Sequence, residues 1–489
     1  MHSAVELLYR GRRTAICGDR VRMTLLDWLR TEQRATGTKE GCAEGDCGAC
    51  TVVLARWEGG RLVHRAVNAC ILMAGQAHGS AVLTIEDLAR SDGSLHAVQE
   101  AMVTHHGAQC GFCTPGIVMS LYALHQDAPP SVTREMISDR LAGNLCRCTG
   151  YRPILDAALD ACARPAEDKA GLAEALARLS ETGRGDIMAG DDNAFFAAPA
   201  SEASLQGMLA RYPDALLLAG GTDAGLWITK HLANHPQVIW LGRVAGLGGV
   251  TRDGGQVVIG AMATHAAASA ALAGLAPDLG EIMRRFGSTQ VRNTGTVGGN
   301  IANASPIGDL APCLIALAAT LELGSAAGPR ALPLENYFIA YKEQDRRPGE
   351  YVRRILVPQP SSGTIFKAFK ISKRMDEDIS AVLGAFGIRL DGRRIRDARI
   401  AFGGMAGIPA RARGAEAALA GADLDQPTTW DAALDALGAD YAPIDDLRAS
   451  AAYRKLVAGN LLRKALVEIA GADLATTRLN SPREAYHGG

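Results

Sequence analysis

Charge balance, 51 Lys and Arg against 52 Asp and Glu, gives this 489-residue chain no electrostatic grip on nucleic acid or an anionic membrane surface. Its length exceeds one ordinary core and predicts three or four domains. Nearly half the residues are apolar, yet no uncharged run reaches the roughly 18 residues of a membrane helix, and Met1–Glu6 lacks a secretory pattern, so a soluble cytoplasmic protein is expected.

Residues 4–9 and 13–17 alternate around Gly11-Arg12 and predict a hairpin. Residues 24–30 predict a short amphipathic helix with Thr24 as cap, and 51–55 a strand. Between them lie Cys42, Cys47 and Cys50, completed by Cys70. Cys-x4-Cys-x2-Cys with a distant fourth cysteine is the plant-type pattern for a [2Fe–2S] cluster. Gly41, Gly45 and Gly48 let the loop turn sharply and aim backbone N–H groups at sulfur. Zinc ribbons carry two CxxC pairs instead. The succession of elements resembles a plant-ferredoxin β-grasp and defines a first domain, residues 1–78.

Residues 95–102, 116–124, 132–142 and 152–162 carry helical apolar spacing and predict a four-helix domain over 79–162. It holds a second cysteine group, Cys110 and Cys113 with Cys146 and Cys148, expected at helix ends where N-terminal amides favour thiolates. By spacing alone, CxxC followed by CxC fits a zinc knuckle, a redox dithiol or a second [2Fe–2S] cluster. His105 and His106 read as packing or surface groups. Residues 163–190 are charged and turn-rich, a linker with a short helix within it.

From 191 to 360 two glycine turns follow apolar strands. One is Leu216, Leu217, Leu218, Ala219, Gly220, Gly221, Thr222 and Asp223; the other runs from Thr294 through Thr296, Gly298, Gly299 and Asn300. Bare amides at such turns can approach a pyrophosphate, although either turn can be purely structural. No GxGxxG occurs here, so Rossmann-type binding is unsupported. Cys313 lies in an apolar run and reads as a core thiol. Residues 361–478 predict strands at 366–370, 382–390 and 398–402 around a charged stretch at 372–381, and 479–489 reads as an unstructured tail.

The blocks Gln109 to Gly116 (QCGFCTPG) and Asn144 to Tyr151 (NLCRCTGY), after a plant-type loop, resemble the iron–sulfur portion of the molybdenum hydroxylases, the xanthine dehydrogenase family. The blocks LLLAGGTD and TVGGNIANASPIGD are similar to the FAD-binding domain that this family shares with the vanillyl-alcohol-oxidase flavoproteins. The resemblance implies a second [2Fe–2S] cluster on the CxxC–CxC group. It implies Gln109 at the molybdopterin of a partner, Leu216 to Asp223 and Thr294 to Asn300 along the FAD diphosphate, Phe286 at the flavin or adenine end, Asp309 near the ribityl chain or ring, and Lys370 at the isoalloxazine. The implied fold is multidomain α+β, with a β-grasp, a helical [2Fe–2S] domain, a two-part FAD domain and a C-terminal α+β domain with an antiparallel sheet.

Clusters carry single electrons while NAD takes a hydride, and a flavin can do both. With no molybdenum domain in the sequence, the resemblance implies a large molybdopterin-binding partner in an (αβ)2 heterotetramer, as in two-subunit bacterial xanthine dehydrogenases. No group in this chain would then act on the purine itself. Another N-heterocycle or an aldehyde as substrate, or a stand-alone NADH reductase, are the alternatives.

Overall fold

The computed structural model describes residues 4–90, 92–167, 170–182 and 185–478; the tail expected at 479–489 lies outside them, as do parts of the charged turns flanking residues 170–182. The chain divides into two compact units. Among the described residues, the first comprises those up to Gly246 together with Gly287–Gly295, and the second Leu247–Phe286 and those from Thr296 onward.

In the first unit, strands β1 (Val5–Tyr9), β2 (Arg12–Ile16), β3 (Thr51–Glu58), β4 (Arg61–Asn68) and β5 (Ala81–Leu83) form a mixed sheet in the order β2-β1-β5-β3-β4. The hairpin turns on Arg10 and Gly11, at φ +48° and +71°, one position earlier than expected. Positive φ at both residues matches the twist of a two-residue hairpin. Thr24 caps Leu25–Asp27 by accepting from the Asp27 N–H at 3.0 Å, and the helix then widens into a π-type turn over Trp28–Glu32. Trp28, Leu29, Val52 and Cys70 are buried in one core with Phe196 and Trp240 of a second sheet. That sheet runs β6 (Ile187–Gly190), β7 (Phe195–Ala198), β9 (Gln237–Trp240), β8 (Leu216–Leu218).

Four helices, α1 (Ala97–Thr104), α2 (Thr114–Gln126), α3 (Arg134–Leu141) and α4 (Arg152–Cys162), pack around Tyr122, Ile137 and Ile154. Helix α1 starts two residues later than its apolar spacing predicts, because His96 caps it by accepting from the Val98 N–H. Residues 116–125 of α2 are buried on every face. The helix Ala170–Thr182 is longer than the sequence indicated. Its Leu176 and Leu179 pack on Leu8, Ala55 and Ala81 of the first sheet.

The second unit contains a five-stranded antiparallel sheet and a four-stranded one. The latter comprises Thr364–Ile371, Val382–Asp391, Arg394–Gly403 and Ala410–Arg411, antiparallel throughout, with Leu461, Leu462 and Leu466 of the helix Ala451–Ala470 in its core. Among the described residues no helix is long and apolar enough to cross a membrane.

Candidate redox centres

Strands β3 and β4 set the first thiol group. Their ladder ends on the pair Thr51 and Asn68, so Cys50 and Cys70 lie just past that end, both buried, with Sγ atoms 3.2 Å apart. Cys42 and Cys47 reach them from the preceding loop. The amides of Glu44 and Cys47 donate to the Cys42 sulfur at 3.4 and 3.3 Å. Gly45 and Gly48 hold φ of +79° and +66°, as a sharp turn requires. Gly41 does not: it is glycine for want of room, since a Cβ there would lie 2.7 Å from the Cys47 sulfur.

The thiols are electrostatically interlocked. Cys47 and Cys70 hydrogen-bond to Cys42 and hold its thiol far below the ordinary range, while their own are pushed far above it. Four thiolates could not crowd this closely without a compensating cation. None of the eleven cysteines is in a disulfide, and among the described residues no three or more His, Cys, Asp or Glu gather as a single-ion site.

The second group lies on the loop before α2 and the loop between α3 and α4. Cys113 occupies the cap position of α2, but Cys146 and Cys148 sit clear of both flanking helices rather than at helix ends. Cys146 is placed by Tyr151, whose hydroxyl accepts its N–H at 2.8 Å, and its sulfur lies 3.2 Å from the Thr149 hydroxyl. Burial, then Cys146, pushes Cys113 up to about 12; Cys146 is lowered despite its burial, chiefly through the Thr149 hydroxyl. Gln109, Cys110 and Cys148 are exposed, as are Phe112 and Leu145, at 48 and 59 %. His105 pairs with Asp160 at 3.2 Å, and His106 is exposed.

The two loops touch directly. Leu145, next to Cys146, donates its N–H to the Cys47 carbonyl at 3.0 Å. Asn144 Nδ2 donates to the Gly48 carbonyl at 3.2 Å. A Cβ on Gly48 would lie 1.9 Å from the Gly143 carbonyl, and one on Gly116 would lie 2.2 Å from that of Gly48. Nothing in the cysteine spacing announced this closeness.

The turn after β8 leans on Gln76, and the end of the helix that follows it on the Cys42 loop. Gln76 Nε2 donates to the carbonyls of Ala219 and Gly220, at 3.2 and 3.1 Å. A Cβ on Gly220 would lie 2.1 Å from the Thr294 carbonyl, so Leu216 to Asp223 and Thr294 meet as bare backbone. Gly221 holds φ +86°, and burial raises the Asp223 carboxyl. Just beyond, Thr229 Oγ1 donates to the Ala43 carbonyl at 2.7 Å and Lys230 Nζ to the Cys42 carbonyl at 2.5 Å. Gln76, Thr229 and Lys230 belong to no motif, and sequence reasoning missed them.

In the second unit, Thr296 caps the helix Val297–Asn303 by accepting from the Gly299 N–H at 3.0 Å. Asn300 lies on that helix, where Gly298 abuts Ala261, 2.6 Å from an added Cβ. Asp309 and Lys370, read separately in the sequence, form one buried group: Nζ donates to Oδ2 at 2.6 Å and Ser380 Oγ to Oδ1 at 2.5 Å. Phe286 stacks on His265 with ring centroids 4.2 Å apart. Cys313 is fully buried, which raises its thiol.

Three family profiles match the chain. They are described as [2Fe-2S] binding domain over residues 84–159, FAD binding domain in molybdopterin dehydrogenase over 192–360, and CO dehydrogenase flavoprotein C-terminal domain over 367–469. A solved carbon monoxide dehydrogenase chain from Hydrogenophaga pseudoflava is 30% identical, with a TM-score of 0.53; the match covers 98% of that chain and 57% of this one. The chain belongs to the molybdenum hydroxylase family.

Within the molybdenum hydroxylases it is similar to Xanthine dehydrogenase 2 of Arabidopsis thaliana, 30% identical over 490 residues, 84% of this chain and 36% of the plant protein. It is also similar to Aldehyde oxidase 4 of Cavia porcellus, 29% identical over 462 residues, 82% of this chain and 34% of that protein. The chain thus spans about a third of the length of these relatives. It is the iron–sulfur and FAD-binding part of a molybdenum hydroxylase.

Proposed function

We propose that this chain is the electron-transfer subunit of a cytoplasmic xanthine dehydrogenase. It would take electrons from hypoxanthine or xanthine oxidised on a large molybdopterin-binding partner and deliver them to NAD. Cys110, Cys113, Cys146 and Cys148 would hold one [2Fe–2S] cluster, and Cys42, Cys47, Cys50 and Cys70 the other. The carrying observation is the Leu145-to-Cys47 hydrogen bond, which joins the loop bearing Cys42, Cys47 and Cys50 to the loop bearing Cys146 and Cys148, backbone to backbone. Such adjacency suits passage of single electrons and serves no purpose in two separate structural zinc sites.

FAD, when bound, supplies the change from one-electron to two-electron chemistry. In the first unit, Leu216 to Asp223 and Thr294 are the residues assigned to it, the bare backbone at Gly220 and Gly221 suiting a diphosphate. In the second unit they are Phe286, Thr296, Gly298, Gly299, Asn300, Asp309 and Lys370. Lys370 would hold a cation where negative charge develops on the ring, with Asp309 fixing its direction. Gln109, exposed as Phe112 and Leu145 are, would face the partner's molybdopterin in an (αβ)2 heterotetramer.

Purification of the native assembly, with metal and flavin analysis and an NADH assay, tests the reading. About four irons and one FAD per chain, with molybdenum on a companion polypeptide and NADH formed from xanthine, are expected. Zinc in place of iron, or no companion polypeptide, overturns it. NADH formed only from aldehydes or other N-heterocycles overturns the choice of substrate.

A further inference from the structure

Gln290 lies far in sequence from either cysteine group, yet its side chain is fully buried between them. It sits on the short helix Thr289–Thr294, in the nine-residue segment that joins the first unit. Its Nε2 donates to Thr51 Oγ1 on β3 at 3.1 Å, to Ser120 Oγ on α2 at 3.3 Å, and to Asn144 Oδ1 at 2.9 Å. Thr51 follows Cys50, Asn144 stands two residues before Cys146, and α2 begins after Cys113.

The direction of each bond is forced. Thr51 spends its hydroxyl proton on the Gly48 carbonyl at 2.7 Å, and Ser120 spends its own on Asn144 Oδ1 at 2.6 Å. Asn144 directs its NH2 at the carbonyl of Gly48 and at Thr51 Oγ1, both at 3.2 Å. All three therefore face Gln290 as acceptors, and the two protons of its NH2 end are shared among them. The remaining Oε1 is buried with no hydrogen-bond partner among the described residues and lies against Gly143, where a Cβ would be 2.4 Å away. An orphaned buried oxygen costs stability, yet the side chain is held in this orientation by acceptors drawn from both cysteine-bearing stretches.

We propose that Gln290 is a positioning residue that fixes the spacing between the two cysteine loops, and so between the two iron–sulfur clusters they carry. Its neighbours reinforce the same geometry: Thr289 Oγ1 donates to the Asp139 carbonyl at 3.0 Å, and Asn293 Nδ2 to that of Ala66 at 2.9 Å. The inference rests on the cluster assignment above and extends it to a residue outside every cysteine motif.

The test compares wild-type, Gln290→Leu and Ser120→Ala holoprotein, purified with its partner. Three readouts apply: iron per chain, magnetic broadening between the reduced clusters in low-temperature EPR, and hydrogen exchange of the Leu145 amide. Gln290→Leu should keep its iron, change the broadening, and raise Leu145 exchange about tenfold. Ser120→Ala should move both in the same direction by less. Iron retained with broadening and exchange as in wild type overturns the proposal. If Gln290→Leu fails to fold, Ser120→Ala decides, and wild-type behaviour in it overturns the proposal. Wild-type protein without iron would instead overturn the cluster assignment.

Discussion

The Lys370 ammonium lies 2.6 Å from the Asp309 carboxylate, with only 2 and 6 % of the two side chains exposed. At that depth each charge depends on the other, because removing one partner leaves an uncompensated buried ion. Lys370→Met should therefore destabilise the protein by about 3–5 kcal/mol. Lys370→Met with Asp309→Asn should recover much of that loss. Urea unfolding of the single and double variants measures both, and flavin content in the same samples should fall in each.

Gly11 and Gly48 hold nearly the same φ, +71° and +66°, but differ in what surrounds them. An added Cβ on Gly11 meets nothing within 4 Å, whereas one on Gly48 would strike the Gly143 carbonyl. Gly11→Ala should thus cost only the left-handed penalty, about 1–2 kcal/mol. Gly48→Ala should cost clearly more and lower iron content, because it forces the two thiol loops apart. Thermal melts alongside iron analysis separate strain from collision.

Burial depresses His125 below its ordinary value of 6.5. Its Nε2 lies 3.3 Å from the Arg164 carbonyl, and its buried Nδ1 has no hydrogen-bond partner among the described residues. The unfolded chain then binds a proton that the folded one resists. The neutral ring's contribution is present above pH 6.5 and is lost as pH falls from there toward the folded value. Denaturation midpoints between pH 7 and pH 5 should therefore fall less in His125→Phe than in wild type.

On the cluster assignment proposed above, stripping iron from the native protein should unlock the first thiol group. Four sulfurs gathered on one short loop and its neighbour, with those of Cys50 and Cys70 3.2 Å apart, are poorly matched without a cation among them. Loss of visible absorption should be accompanied by faster hydrogen exchange over residues 41–50 and a lower melting temperature. Exchange unchanged after complete iron loss would contradict this.

The cysteine groups could be read from local spacing, and the fold gathers Cys42, Cys47, Cys50 and Cys70 as that spacing anticipates. Long apolar runs placed β3 and the C-terminal strands for a similar reason, each burying most of its length. Other features needed the assembled fold. His96 moved the start of α1 through a cap that no periodicity encodes. Gly41 looks like a turn glycine in sequence but answers to a neighbouring sulfur. Thr51, Ser120, Asn144 and Gln290 are ordinary polar residues whose meaning arises only where four separated stretches converge.

The excursion of residues 287–295 has a consequence for biosynthesis. The thiol-bearing half is synthesised first, but the helix that closes over Thr51, Ser120 and Asn144 emerges from the ribosome more than a hundred residues after the last of them. Until then Thr51, Ser120 and Asn144 lack the side chain that donates to all three, and a fragment ending near residue 190 would never acquire it.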